Sequence, residues 1–429
     1  MSLQPNPRIE TRLPTGVKDF LPLKAARLEF LHTQLRDVFR RWGFRPVSPA
    51  ILEDLAVLER GLGADLREKT FRFDDRQTGR LVAFPPDITP QVARIAATRM
   101  HDMPLPFRLC YRGRVLRHAE QRLGKERQIH QAGVELIGLD SAEADAEMIA
   151  MAVECLRAVG ADDFTIDIGQ VDFLRAILAD LPLDATQTAE LLALIAAKDS
   201  FGLNRRLEAL PLSSAQCEEL SALPRLFGGE DVIERATRCV HNPTARQALE
   251  NLQQVLEMLK VYRVEPYLTI DLGELRGFDY HTGVIFQGFL TGFGRAVCAG
   301  GRYDNLTGRY GFPAPATGFS FDLYRLLVAL GADIATDRAA GIDILLFASG
   351  ADKATAQRLA VTLRAQGYSV ARDIIRRDRQ ASLDYARRMQ FRHLLILDEQ
   401  APRPTLIRTA DGEQTEVDLA DIENGGLKL

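Results

Sequence analysis

The side chains able to do chemistry cluster in four short segments. In Phe84-Pro-Pro-Asp-Ile-Thr-Pro-Gln91 an acid, Asp87, and a hydroxyl, Thr89, sit two apart where a strand gives way to a helix. Asp87 could pair there with a substrate ammonium, or either residue could simply cap the helix amides. The run from Arg112 to Glu135 holds several arginines and a lysine around a loop between neighbouring strands. Arginine grips phosphate and carboxylate bidentately, although a solvated basic loop explains the charge equally well. Gln131 and Glu135 are more telling: four apart on a strand, they share one face, and two polar side chains on an otherwise apolar strand invite a polar ligand. Glu274-Leu-Arg-Gly-Phe-Asp-Tyr-His281 brings Arg276, Asp279, Tyr280 and His281 together before an apolar strand, with a core ion pair between Arg276 and Asp279 as the plainer reading. Ala299-Gly-Gly-Arg-Tyr-Asp304 carries paired glycines that permit close backbone approach or positive φ, as an ordinary tight turn would.

Hydrophobic periodicity predicts the elements that must hold these segments. Leu28, Leu31, Leu35, Val38 and Phe39 mark an amphipathic helix over 25–42, and prolines 46 and 49 make the following stretch extended. A hairpin is expected over 70–84, a short helix over 90–99, strands over 107–118 and 131–139, and a helix from Ser141 to about Gly160. Residues 172–262 read as a helical insert rich in leucine and alanine. Strands return over 267–272, 283–289, 296–299 and 317–322, and a helix over 323–330 closes the unit. The result is an α+β core, mainly an antiparallel sheet flanked by helices, over 1–334. After a linker at 335–341, strands alternate with helices over 342–429, predicting a small α/β domain with parallel pairing and a last hairpin at Asp411-Gly412.

Composition narrows the function classes. The chain has 429 residues, 46% hydrophobic and 26% charged, without an apolar run of membrane-spanning length or a secretion signal, so a cytoplasmic protein is expected. Five cysteines without CxxC spacing argue against disulfides and thiolate metal sites; no metal and no cofactor are expected. A net charge of −4, from 54 basic and 58 acidic residues, disfavours tRNA as a ligand without excluding a local basic patch.

Together and in order, the four segments resemble the histidyl-tRNA synthetases of class II over nearly the whole chain. Their two histidine signatures appear as Arg276-Gly-Phe-Asp-Tyr-His281 and Ala299 to Asp304, and Leu13-Pro-Thr-Gly-Val-Lys-Asp-Phe20 is similar to their start. The resemblance implies free histidine as ligand. Asp87 and Thr89 would meet its ammonium, Gln131 and Arg276 its carboxylate side, and Glu135 and Tyr280 the imidazole region; Arg117, His281 and Tyr303 complete the set. It also implies an anticodon-binding-like C-terminal domain and pairing into a homodimer.

The segments used by that family for ATP depart from its pattern. Ala119 stands for a glutamate after Arg117, Asp322 for a glycine and Tyr324 for a glutamate before Arg325, and Pro85 for an arginine. An aspartate and a phenol in a nucleotide floor would crowd the nucleotide, and an unpaired Asp322 would repel a polyphosphate at close range. His281 replaces a second tyrosine. Thr317-Gly-Phe-Ser-Phe-Asp-Leu, with Pro86 to Arg94 and Gln131 to Gly138, resembles the synthetase-like regulatory subunits of ATP phosphoribosyltransferase. That implies a non-catalytic subunit that joins a short-form catalytic partner in a hetero-oligomer, serves the first step of histidine biosynthesis and helps histidine inhibit it. An active histidine-tRNA ligase is the rival reading.

Overall fold

The computed structural model describes residues 12–118, 126–274, 280–331, 341–350, 353–375, 377–398, 401, 403–427 and 429. The chain divides into two compact units, one from Met1–Phe20 and Leu28–Ile334, the other from Leu21–Arg27 and Ala335–Leu429. Helix α1 (Pro22–Arg41) buries the predicted stripe of Leu28, Leu31, Leu35, Val38 and Phe39. It runs into the short strand β1 (Arg45–Pro46).

A small three-stranded sheet follows, from β2 (Glu53–Asp54), β3 (Phe71–Asp74) and β4 (Leu81–Phe84), with the short helices α2 (Leu55–Leu58) and α3 (Ala64–Glu68) between β2 and β3. Helix α4 (Thr89–Arg99), with Pro90 in its first turn, leads to the long hairpin of β5 (Phe107–Leu116) and β6 (Gln128–Ile137). Ser141 caps α5 (Ala142–Ala158) by accepting from the Ala144 amide at 3.3 Å. Strand β7 (Phe164–Gln170) comes next. The insert is mostly helical: α6 (Val171–Ala179), α7 (Ala185–Ala196), α8 (Ser200–Leu207), α9 (Ser214–Ala222), α10 (Asp231–Cys239) and α11 (Pro243–Tyr262). It also contributes a two-residue strand, β8 (Phe227–Gly228), to the edge of the large sheet. The unit ends with β9 (Leu268–Asp271), β10 (Val284–Leu290), β11 (Ala296–Arg302), β12 (Ala316–Asp322) and α12 (Leu323–Leu330).

Nine strands join in the order β1-β5-β6-β12-β11-β10-β7-β9-β8. All pairings are antiparallel except β1 with β5 and β7 with β9. Strand β7 lies in a stretch for which periodicity supplied no element, because only Phe164, Ile166 and Ile168 alternate before polar Gln170. It pairs β10 on one side and β9 on the other, so the sheet would be interrupted without it.

The pleat of β6 sorts its side chains. Ala132, Val134 and Leu136 enter the large core beneath α1 and α5, whereas Ile129 and Ile137 join a smaller cluster with Val92 and Ala96 of α4. Gln131, Gly133 and Glu135 therefore look out on the α4 side. The other unit is a five-stranded sheet in the order β14-β13-β15-β16-β17: β13 (Ile342–Ser349), β14 (Val370–Arg372), β15 (Phe391–Asp398), β16 (Thr405–Arg408) and β17 (Gln414–Glu416). Its first three strands are parallel and the last two form a hairpin, with Gly412 at φ +80° in the turn. Among the described residues no helix is long and apolar enough to cross a membrane.

Arg302 ties the end of β11 to α5. Its guanidinium donates to Asp145 (2.9 Å), Asp304 (3.1 Å) and the carbonyls of Leu139 (3.2 Å) and Ser141 (3.1 Å), with only 7% of its side chain exposed. Removing one partner of a buried pair strands the other charge. Arg302→Met should therefore lower unfolding free energy by about 3 to 5 kcal/mol, read as an earlier urea transition, and Arg302→Lys should fall between it and the parent.

Candidate functional site

Register across the β5–β6–β12 strands builds the site. Gln131 pairs across with Gly113 and Asp322, Gly133 with Tyr111 and Ser320, and Glu135 with Leu109 and Gly318. Gln131, Glu135, Gly318, Ser320 and Asp322 floor a cavity of about 580 Å³, walled by α4's first turn, by Tyr280 and His281, by Tyr303, and by the start of α3. Two glycines make the floor possible. A Cβ at Gly318 would run into the Glu135 carboxylate, and one at Gly133 would lie 2.7 Å from the Tyr111 hydroxyl.

Glu135 is the most buried polar group of the site, 1% exposed. Both carboxyl oxygens accept from phenols: Tyr111 donates to Oε1 at 3.0 Å, and Tyr303 donates a short hydrogen bond to Oε2. The Tyr111 hydroxyl also lies 3.3 Å from that of Thr89. Burial pushes the Glu135 carboxyl up to about 8, against the opposing pull of its hydroxyl partners, so it carries a proton near neutrality. The Tyr280 ring stacks on Tyr303 with centroids 5.6 Å apart, and its hydroxyl is buried without a hydrogen-bond partner. His281 lies edge-on to Tyr280, with Nδ1 3.0 Å from the Arg302 carbonyl. A carbonyl only accepts, so Nδ1 holds the proton and Nε2 is an acceptor. Burial pushes this imidazole down to about 4, keeping it neutral.

The other end of the site is a charge pair. Asp87 Oδ1 accepts from the Thr89 amide (3.2 Å) and Gln131 Nε2 (3.4 Å), while its Oδ2 faces Arg117 at 3.4 Å. Gln131 is held from behind, its Oε1 accepting from the Ile88 amide at 3.1 Å. Arg117 donates from Nε to the Pro86 carbonyl at 2.6 Å. Carboxylate and guanidinium thus stand next to each other with long, weak contact, an arrangement that an ammonium and a carboxylate on one carbon can enter.

The structure brings together Asp87, Thr89, Arg117, Gln131, Glu135, Tyr280, His281 and Tyr303 around one cavity. Arg276 lies outside the described residues, as do Asp279 and Ala119. Tyr111 was missed: a tyrosine in an apolar strand reads as core, and only the hairpin register reveals that it stands between Gln131 and Glu135.

Two expectations about the ATP segment change. Tyr324 does not line this cavity; it turns the other way, against Phe20 and Lys18, with the Lys18 ammonium 3.0 Å from its hydroxyl. Asp322 does line it but is not unpaired, since its Oδ2 lies 3.1 Å from the Arg325 Nε. Among the described residues no group of His, Cys, Asp and Glu is arranged to hold a metal ion.

A family model described as histidyl-tRNA synthetase matches residues 16–326. An ATP phosphoribosyltransferase regulatory subunit of Syntrophotalea carbinolica is 57% identical over 98% of each chain. One from Geobacter sulfurreducens is 51% identical over 96% of this chain and 95% of its own. A solved structure from Bacillus halodurans, described as an ATP phosphoribosyltransferase regulatory subunit/histidyl-tRNA synthetase, superposes with a TM-score of 0.80 at 27% identity, covering 92% of this chain and all of that one. The histidyl-tRNA synthetase of Nostoc sp. PCC 7120 shares the fold, with a TM-score of 0.82 at 23% identity over 97% of this chain and 99% of its own. The chain belongs to the histidyl-tRNA synthetase family and, within it, to the ATP phosphoribosyltransferase regulatory subunits.

Proposed function

We propose that this chain is the regulatory subunit of a short-form ATP phosphoribosyltransferase in the cytoplasm, and that it binds free L-histidine in the cavity over β6 and β12. In this reading it pairs with itself inside a hetero-oligomer with the catalytic subunit, and supports and restrains the first step of histidine biosynthesis. It neither ligates histidine to tRNA nor uses tRNA as a ligand. The observation that carries the reading is a single cavity holding a buried, phenol-bonded carboxyl at one end and an acid–arginine pair at the other. The first suits an imidazole and the second an amino-acid zwitterion.

The binding chemistry follows from the partners. The α-ammonium takes Asp87 and displaces Arg117, which with Gln131 and Arg276 turns to the carboxylate. Glu135 meets an imidazole nitrogen, and the Tyr280 hydroxyl gains the partner it lacks. An ionised Glu135 against a neutral ring would leave a buried net charge; one proton shared between them keeps the pair neutral overall. Regulation then requires that histidine bind more tightly in one state of the complex than in another. Adenylation is disfavoured because Arg325 is occupied by Asp322. Residues 342–429, of anticodon-binding type in this reading, serve protein contact.

Reconstitution with the short-form catalytic subunit should raise its phosphoribosyl transfer and make it sensitive to histidine. The chain alone should catalyse no histidine-dependent exchange of pyrophosphate into ATP, and clear exchange would overturn the assignment. By calorimetry, Arg276→Ala and Asp87→Asn should each weaken histidine binding by tenfold or more, on the order of one charge-assisted hydrogen bond or above.

The pH dependence has a defined sign. Between the free imidazole's value, about 6.5, and the Glu135 value of about 8, carboxyl and ring together already hold the one proton the complex needs. Affinity should be flat there. Below that window the ring must release a proton to bind, and above it Glu135 must take one up, so affinity falls on both sides. Glu135→Gln should make the alkaline fall shallower. An affinity that instead rises with pH up to about 8 would mean that an ionised Glu135 receives a neutral ring.

A further inference from the structure

We propose that Asp322 is a built-in counter-ion that closes this cavity to phosphorylated ligands, so that an amino acid is read there without competition from nucleotides. Anions are ordinarily held by arginines and by the free amides of a helix start. The cavity offers both at one point, because α12 begins at Leu323 and carries Arg325 in its first turn. Asp322 fills that point from within the chain. Its Oδ1 accepts from the amides of Tyr324 (3.1 Å) and Arg325 (3.2 Å), and its Oδ2 lies 3.1 Å from the Arg325 Nε. Two oxygens of a bound phosphate would make the same contacts.

The second cavity arginine is committed as well. Arg117 is shared between the Pro86 carbonyl and Asp87. Among the described residues the charged side chains lining the cavity are Asp65, Asp87, Glu135 and Asp322 against Arg117 and Arg325. A polyphosphate entering here would approach the carboxylates of Asp87 and Asp322 and find Arg117 and Arg325 already paired with them. A zwitterion brings no net charge and can exchange ammonium for guanidinium at Asp87. Only the biological meaning rests on the histidine reading; the exclusion of anions rests on the cavity's own charges.

The test is calorimetric titration of the full chain with tripolyphosphate, and separately with ATP, in the parent, Asp322→Asn and Asp322→Gly, with histidine titrated in parallel. Asparagine keeps the helix cap and the shape while removing the charge; glycine also vacates the amides. The parent should show no saturable polyphosphate binding. The asparagine variant should bind on the order of tenfold or more tighter, as expected for removing a like charge at close range, and the glycine variant more tightly still. Both gains should shrink with added salt and vanish when Arg325→Gln is combined with them. Equal polyphosphate affinity in all three proteins, or parent binding as tight as that of Asp322→Asn, overturns the proposal. Failure of all three to bind histidine would instead overturn the ligand assignment, leaving the polyphosphate result to decide this one.

Discussion

A carboxyl group buried on the face of a nine-stranded sheet is the constraint around which this site is arranged. Glu135 is tolerated at 1% exposure because two phenols donate to it and because two neighbouring positions have no side chain. A buried polar group without partners costs more than its hydrogen bonds return. Tyr111, Tyr303, Gly133 and Gly318 are thus one unit with Glu135, and their positions follow from the β5–β6–β12–β11 register rather than from any local motif. Arg302, two residues of whose network lie on α5 and the β11–β12 connection, holds Tyr303 in line from the adjoining position.

From that unit outward the site is a balance of pairs already made within the chain. Asp87 faces Arg117, Asp322 faces Arg325, and the Nδ1 proton of His281 is turned to a backbone carbonyl. Among the described residues of the cavity little charge is left over for a polyanion, and the Asp87–Arg117 contact is the longer of the two ion pairs. A histidyl-tRNA synthetase shares the same fold, so function is decided by the site and not by the architecture.

Local chemistry made most of the architecture legible. The α1 stripe, the Ser141 cap, the β5–β6 hairpin, the closing strand and helix over 316–330, and the parallel-then-hairpin order of the smaller sheet all follow from periodicity and turn residues. Strand β7 was not legible, since three alternating apolar residues are too few to distinguish a strand from the loop between helices. The site was half legible. Asp87, Gln131 and Glu135 announce themselves as polar residues in apolar surroundings, but Tyr111 looks like any core aromatic.

The amino-acid sequence by itself determined the family, the residue types at the cavity and the substitutions at the nucleotide segment, because each of these is a matter of side-chain identity in a short run. Only the tertiary structure decided what those side chains do to one another. Tyr324, expected to crowd a nucleotide, turns away to Lys18 and Phe20, and Asp322, expected to stand unpaired, meets Arg325 and caps α12. The physical reason is direction: spacing along the chain says which residues share an element, whereas the rotation of a helix start and the register between strands far apart in sequence set which way each group points and which charge it meets.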